Sequence, residues 1–164
     1  EGIKRVALGD VPAQLSALRT HQVDMVPFDI TTAYQLDEAG EVRILLKFGD
    51  VVKEYVNHVI YATNDAMTKR PDDVKKFLAA WFETVAFFKH NKADVVRISS
   101  SVLKISPAVV GKVYDETIPM LSDDGRFEQK GLAVLAQSFV DMNTLPETPD
   151  MSKLYTEKLL PAAQ

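Results

Sequence analysis

V-A-L-G-D-V-P-A-Q-L-S-A-L-R-T-H-Q-V-D-M-V-P-F-D, residues 6–29, is the stretch on which the fold turns. The short β-branched run at residues 3–8 ends at Gly9 and has the composition of a strand. Pro12 suits the first turn of a helix, where a missing N–H costs nothing. Leu15, Leu18 and Ala17 then make an apolar face at helical spacing. Residues 23–28 form an apolar run closed by Asp29, the pattern of a buried parallel strand. Strand, turn, helix and strand in that order predict an α/β fold. Gly9-Asp10 and Phe28-Asp29 then fall at the carboxyl ends of two parallel strands, the edge at which open α/β sheets bind ligands.

Working outward, residues 31–39 read as a short helix closed by Gly40 in a C-terminal cap. Residues 42–48 read as a strand followed by a Gly49-Asp50 turn, and residues 55–63 as another strand-like run. Beyond Thr63 the β-branched runs give way to helical stripes. Lys69-Arg70-Pro71-Asp72-Asp73 opens a helix, with Pro at its first position and two carboxylates at the positive end of the dipole. Val74, Phe77, Leu78, Trp81, Val85 and Phe88 continue one apolar stripe to about His90, roughly 30 Å at 1.5 Å per residue. Trp81, Phe82, Phe87 and Phe88 are expected in the core. Ser106-Pro107 starts another helix with a Ser cap. Residues 122–125 form a turn, residues 127–140 are amphipathic, and residues 152–159 are expected to form a last short helix.

The bulk numbers are those of an ordinary globular domain: 164 residues, 46% hydrophobic and 26% charged. The net charge of −4 leaves no basic footprint for nucleic acid. No apolar run approaches the ~20 residues of a membrane helix. The absence of Cys excludes disulfides, thiolate metal sites and Cys nucleophiles in this chain. The three His are scattered, so no metal site is expected. No cofactor is expected either, since the chain has neither a G-x-G-x-x-G nor a P-loop pattern. Residues 1–5 lack the features of a signal peptide.

The helix-to-strand stretch resembles a motif of the solute-binding proteins of ABC importers, in the nitrate/sulfonate/taurine group that also includes thiamine-precursor binders. Against that group's x-L-x-A-L-x-x-G-x-V-D-A, Leu15, Ala17, Leu18, Val23 and Asp24 match, His21 replaces the usual Gly and Met25 the usual Ala. The run from Arg70 also resembles the group's R-P-x-x-V-x-x-F-L-x-A helix. The resemblance implies a type II periplasmic-binding-protein-like fold, present as a carboxyl-terminal portion. Residues 1–47 would be part of the second α/β lobe, residues 48–63 a hinge or crossing segment, and residues 64–164 the helical carboxyl-terminal part of the first lobe. Trp81 and several Phe would then form an exposed apolar patch wherever the sheet they cover is incomplete, and a homodimer is expected.

The function implied is capture of a small polar organic solute between two lobes for an ABC permease in the membrane, in the periplasm or another extracytoplasmic compartment, without catalysis. Two alternatives stand beside it: an enzyme like the thiamine-precursor (pyrimidine) synthase, whose family carries a Cys-rich motif and an essential His, and a sensory ligand-binding module. The candidate ligand-binding residues are Gly9, Asp10, Phe28, Asp29, Thr31, Asn57 and His58. Asp10 and Asp29 can also be read as helix caps. Two carboxylates at the binding edge favour a ligand with hydrogen-bond donors or a cationic nitrogen over a bare oxyanion such as nitrate.

Overall fold

The computed structural model describes residues 2–161. Helix, 3₁₀ turns included, takes 56% of the described residues, and no strand is present among them. The order is α1 (Val11–Arg19), α2 (Ile30–Glu38), α3 (Phe48–Val51), α4 (Asn64–Lys69), α5 (Pro71–His90), α6 (Lys92–Leu103), α7 (Pro107–Thr117) and α8 (Gln129–Asp141). Short 3₁₀ turns lie at Ile118–Met120 and Met151–Lys153.

This overturns the expected α/β class and the type II periplasmic-binding fold with its partial second lobe. The runs at residues 3–8, 23–28, 42–48 and 55–63 have strand composition, yet no backbone hydrogen bond joins any of them to another. A strand is a paired object. Its N–H and C=O groups need a neighbour laid alongside, and composition alone does not supply one. Residues 152–159 likewise form no helix beyond the 3₁₀ turn. The helices α3, α4 and α6 depart from the sequence reading, and α3 takes up Phe48, Gly49 and Asp50, read there as a strand end and a turn. α4 is a short segment capped by Thr63, whose side chain accepts from the Ala66 N–H at 3.1 Å.

The chain divides into two compact units. The first comprises residues up to Leu45 together with Val96–Glu116. Ala17, Tyr34, Leu36, Val109 and Val110 are buried there. Polar ties join its elements. The Tyr34 hydroxyl donates to Glu116 Oε1 at 2.9 Å, and Lys112 Nζ lies 5.4 Å from the centre of the Tyr34 ring. Ser106 Oγ lies 2.7 Å from Glu38 Oε2 and also accepts from the Val109 N–H at 3.2 Å, capping α7. Arg19 grips Glu41 with two parallel bonds, Nε to Oε2 at 2.6 Å and Nη2 to Oε1 at 2.9 Å.

The second unit comprises Leu46–Val95 and the residues from Thr117 onward. Its long helix α5 runs from Pro71 to His90, as the stripe and its end signals require. Asp72 and Asp73 sit in its first turn, and Lys89 and His90 in its last, each sign matched to the helix dipole. Leu78 and Val85 are buried with Val95, Leu132 and Ala136. The core expectation fails, because Trp81 remains 41% exposed and Phe87 43%, while Phe82 and Phe88 are only half-buried. An amphipathic stripe is buried only over the width that other elements cover, and here the cover is narrower than the stripe. The carboxyl-terminal segment is pinned by Glu157, which accepts from the Phe127 N–H at 2.9 Å, and by the Phe127 and Tyr155 rings at 4.7 Å.

Candidate functional site

In the first unit, the sequence-derived candidates gather at two helix starts. Gly9 precedes α1 with φ +79°, a left-handed conformation that Gly adopts without a Cβ penalty. Its carbonyl accepts from Gln14 Nε2 at 2.8 Å, so the turn is tied to the helix it introduces. Asp10 is the N-cap, and its Oδ1 accepts from the Ala13 N–H at 3.1 Å.

The second helix start is more heavily committed. Asp29 caps α2, with Oδ1 accepting from the N–H groups of Thr31 and Thr32 at 3.0 Å each. Oδ2 accepts from Thr32 Oγ1 at 2.5 Å. Burial pushes the Asp29 carboxyl up, but the Thr32 hydroxyl and the Thr31 and Thr32 N–H bonds outweigh it, and the group lies below its ordinary value. It is therefore an anion whose acceptor sites are largely taken. Phe28 beside it is half-buried, and Thr31 contributes its N–H to the cap. Thr32 is the residue sequence reasoning underweighted. The D-x-x-T spacing at a helix start is the signal that finds it, since the N3 side chain faces back to the cap.

Asn57 and His58 belong to the second unit, where both are exposed on the segment between α3 and α4. A groove of ≈ 390 Å³ opens next to that segment, lined by Ile60, Tyr61, Ala62, Thr63, Ala66, Arg70, Asp73, Val74 and Phe77. It is mostly apolar, with Arg70 and Asp73 as its charged members, their Nη1 and Oδ2 3.8 Å apart. Among the described residues, no group of three or more acidic or His side chains is placed to hold a metal ion. No helix among them is long and apolar enough to cross a membrane.

The family model "NMT1/THI5 like" matches residues 3–93, which include both capped helix starts, the exposed segment and the whole of α5. The chain belongs to the NMT1/THI5-like family. Members of this family are mainly solute-binding proteins, typically extracytoplasmic, and some are synthases. A solute-binding role, in general terms, therefore extends to this NMT1/THI5-like chain, as does the family's association with a small-molecule ligand and an ABC permease. No curated protein and no solved structure matches the chain.

Proposed function

We propose that this chain is the substrate-binding component of an ABC importer, working in the periplasm or an equivalent extracytoplasmic space without catalysing a reaction. The observation that carries the reading is the family match across residues 3–93. We further propose Gly9, Asp10, Phe28, Asp29 and Thr31 as ligand contacts within the first unit and, separately, Asn57 and His58 as ligand contacts within the second.

The geometry ranks the two carboxylates. Asp29 spends both oxygens on its own helix start, whereas Asp10 spends only Oδ1, and Oδ2 has no partner among the described residues. An ionised carboxylate accepts hydrogen bonds and donates none. Asp10 Oδ2 thus suits a protonated amine or an amino group on a ring. Phe28 supplies an apolar face for a ring or a cation–π contact.

Calorimetry with taurine, 4-aminopyrimidine and nitrate tests this. The expected result is binding of an amine-bearing probe and not of nitrate, with Asp10→Asn weakening it about tenfold, the scale of one charge-assisted hydrogen bond. Nitrate binding alone, or an Asp10→Asn variant that binds the amine unchanged, would overturn the ligand assignment. Turnover of a pyridoxal-derived or pyrimidine substrate would overturn the transport reading in favour of the synthase.

A further inference from the structure

Two local preferences are broken at one contact in the second unit. Glu54 holds the left-handed region, φ +58°, which a non-Gly residue seldom takes. Gly131 sits in the first turn of α8, and only Pro is a poorer helix former. One close approach accounts for both. The Glu54 carbonyl oxygen lies 2.9 Å, and Val56 Cγ2 3.3 Å, from the point that a Cβ on Gly131 would occupy. Gly lets the backbone of the segment come against the helix, and the turn at Glu54 brings it there. Departures from local preference that converge on one place mark strained or functional positions.

Side chains extend this contact along the helix. Lys130 Nζ lies 2.6 Å from Glu54 Oε1, and the Tyr55 hydroxyl 3.4 Å from Ser138 Oγ. Ser138 gives its single proton to the Leu135 carbonyl at 2.7 Å, so Tyr55 is the donor in that pair. Gly131 and Ser138 are two turns apart, which puts them on one face of α8 about 10 Å from each other. Glu54, Tyr55 and Val56 thus each meet the helix. Upstream, Lys53 Nζ is tied to the Gly49 carbonyl at 2.6 Å; downstream, Thr63 caps α4. Asn57 and His58 follow Val56 directly. At about 3.3 Å per residue they stand within about 7 Å of chain from the seat on α8, and about 16–20 Å from Thr63. Their placement is set from the α8 side.

We propose that α8, through Lys130, Gly131 and Ser138, positions Asn57 and His58 for contact with the solute. This rests on the reading of Asn57 and His58 as ligand contacts, and it carries that site beyond the family-matched residues 3–93 to a helix at Gln129–Asp141. The three α8 residues are positioning residues and act through the segment they hold. The Lys130–Glu54 pair is exposed and adds little to overall stability, but it fixes where Glu54 sits on the helix. It is also the closer of the two side-chain ties, the Tyr55–Ser138 contact being long for a pair of hydroxyls. Without these ties the strained turn at Glu54 relaxes, and Asn57 and His58 move with it. Binding groups already held in one geometry spare the ordering cost that a loose segment meets on binding.

Nuclear magnetic resonance of the unbound chain reads the placement. Lys130→Met combined with Tyr55→Phe should shift the amide signals of Asn57 and His58, with α5 signals and circular dichroism unchanged. Lys130→Arg alone keeps the charge and should leave those signals near their original positions. Calorimetry with taurine and 4-aminopyrimidine reads the consequence. The combined variant should bind whichever probe the unmodified chain takes about threefold to tenfold more weakly. That loss should vanish in an Asn57→Ala/His58→Ala background, because α8 acts only through those two residues; a general structural defect would weaken binding in both backgrounds. Asn57 and His58 signals unmoved by the combined variant, or an undiminished loss in the Asn57→Ala/His58→Ala background, would overturn the positioning. An unmodified chain that takes neither probe, with the signals shifted as expected, would overturn the solute reading of the site while supporting the hold of α8 on it.

Discussion

The carbonyl oxygen of Glu54 lies 2.9 Å from where a Cβ on Gly131 would sit, and Val56 Cγ2 lies 3.3 Å from the same point. The segment that leads to Asn57 and His58 is thus seated on the first turn of α8 at a residue with no side chain. Glu54 itself holds a left-handed backbone, φ +58°, and its carboxylate is held by Lys130. A non-Gly residue in that region stores strain of about 1 kcal/mol or more, so the seat on α8 has to hold it.

Gly131→Ala should therefore destabilise the protein. Ala is the better helix former by about 1 kcal/mol. The obstruction is backbone, though, and overpacking of that kind costs about 1–3 kcal/mol. A urea titration should show a lower midpoint; a higher one would mean that the seat is not tight.

His21→Gly should act in the opposite direction. The chain leaves α1 through a Schellman turn, with the Gln22 N–H donating to the Ala17 carbonyl at 2.9 Å and the His21 N–H to that of Leu18 at 3.1 Å. His21 occupies the left-handed position, φ +56°, where the related motif carries Gly. Relief of the Cβ clash should add about 1 kcal/mol of stability, read as a higher melting temperature.

Asp29 should make stability acid-sensitive. Its folded carboxyl titrates below the unfolded one, so it contributes stability above the ordinary carboxylate range. That contribution is lost as pH falls through this range toward the folded value. Asp29→Asn keeps a capping oxygen but removes the titration, and should flatten the stability profile on the acid side. Asp29→Ala should cost about 0.5–2 kcal/mol at neutral pH. An unchanged acid limb in Asp29→Asn would remove Asp29 from the linkage.

Trp81 is the single Trp of the chain and is 41% exposed. Its emission should lie to the red of a buried indole and be quenched by acrylamide in the native protein. Phe77, Trp81 and Phe87 together present apolar surface that a hydrophobic dye should find. Blue-shifted, quencher-resistant emission would mean that the stripe is covered.

The long helix α5 was legible in the sequence because each of its signals is local: Pro71 at the start, Asp72 and Asp73 in the first turn, and the recurring apolar residues after them. The caps at Asp10 and Asp29 were legible for the same reason, since each bonds to N–H groups two or three residues away. Thr32, whose hydroxyl takes the remaining oxygen of Asp29, carried only the weaker signal of its spacing.

The runs at residues 3–8, 23–28, 42–48 and 55–63 had every compositional mark of strands, and none is paired. A helix closes its hydrogen bonds four residues back along its own chain, so sequence by itself determined where α1, α2, α5, α7 and α8 lie, together with the motifs of the NMT1/THI5-like family. A strand closes its bonds on residues distant in the chain, and a buried stripe needs a surface brought to it from elsewhere. Only the tertiary structure decided that the β-rich runs stay unpaired, that Trp81 is half-uncovered, and that the Glu54 carbonyl rests on Gly131.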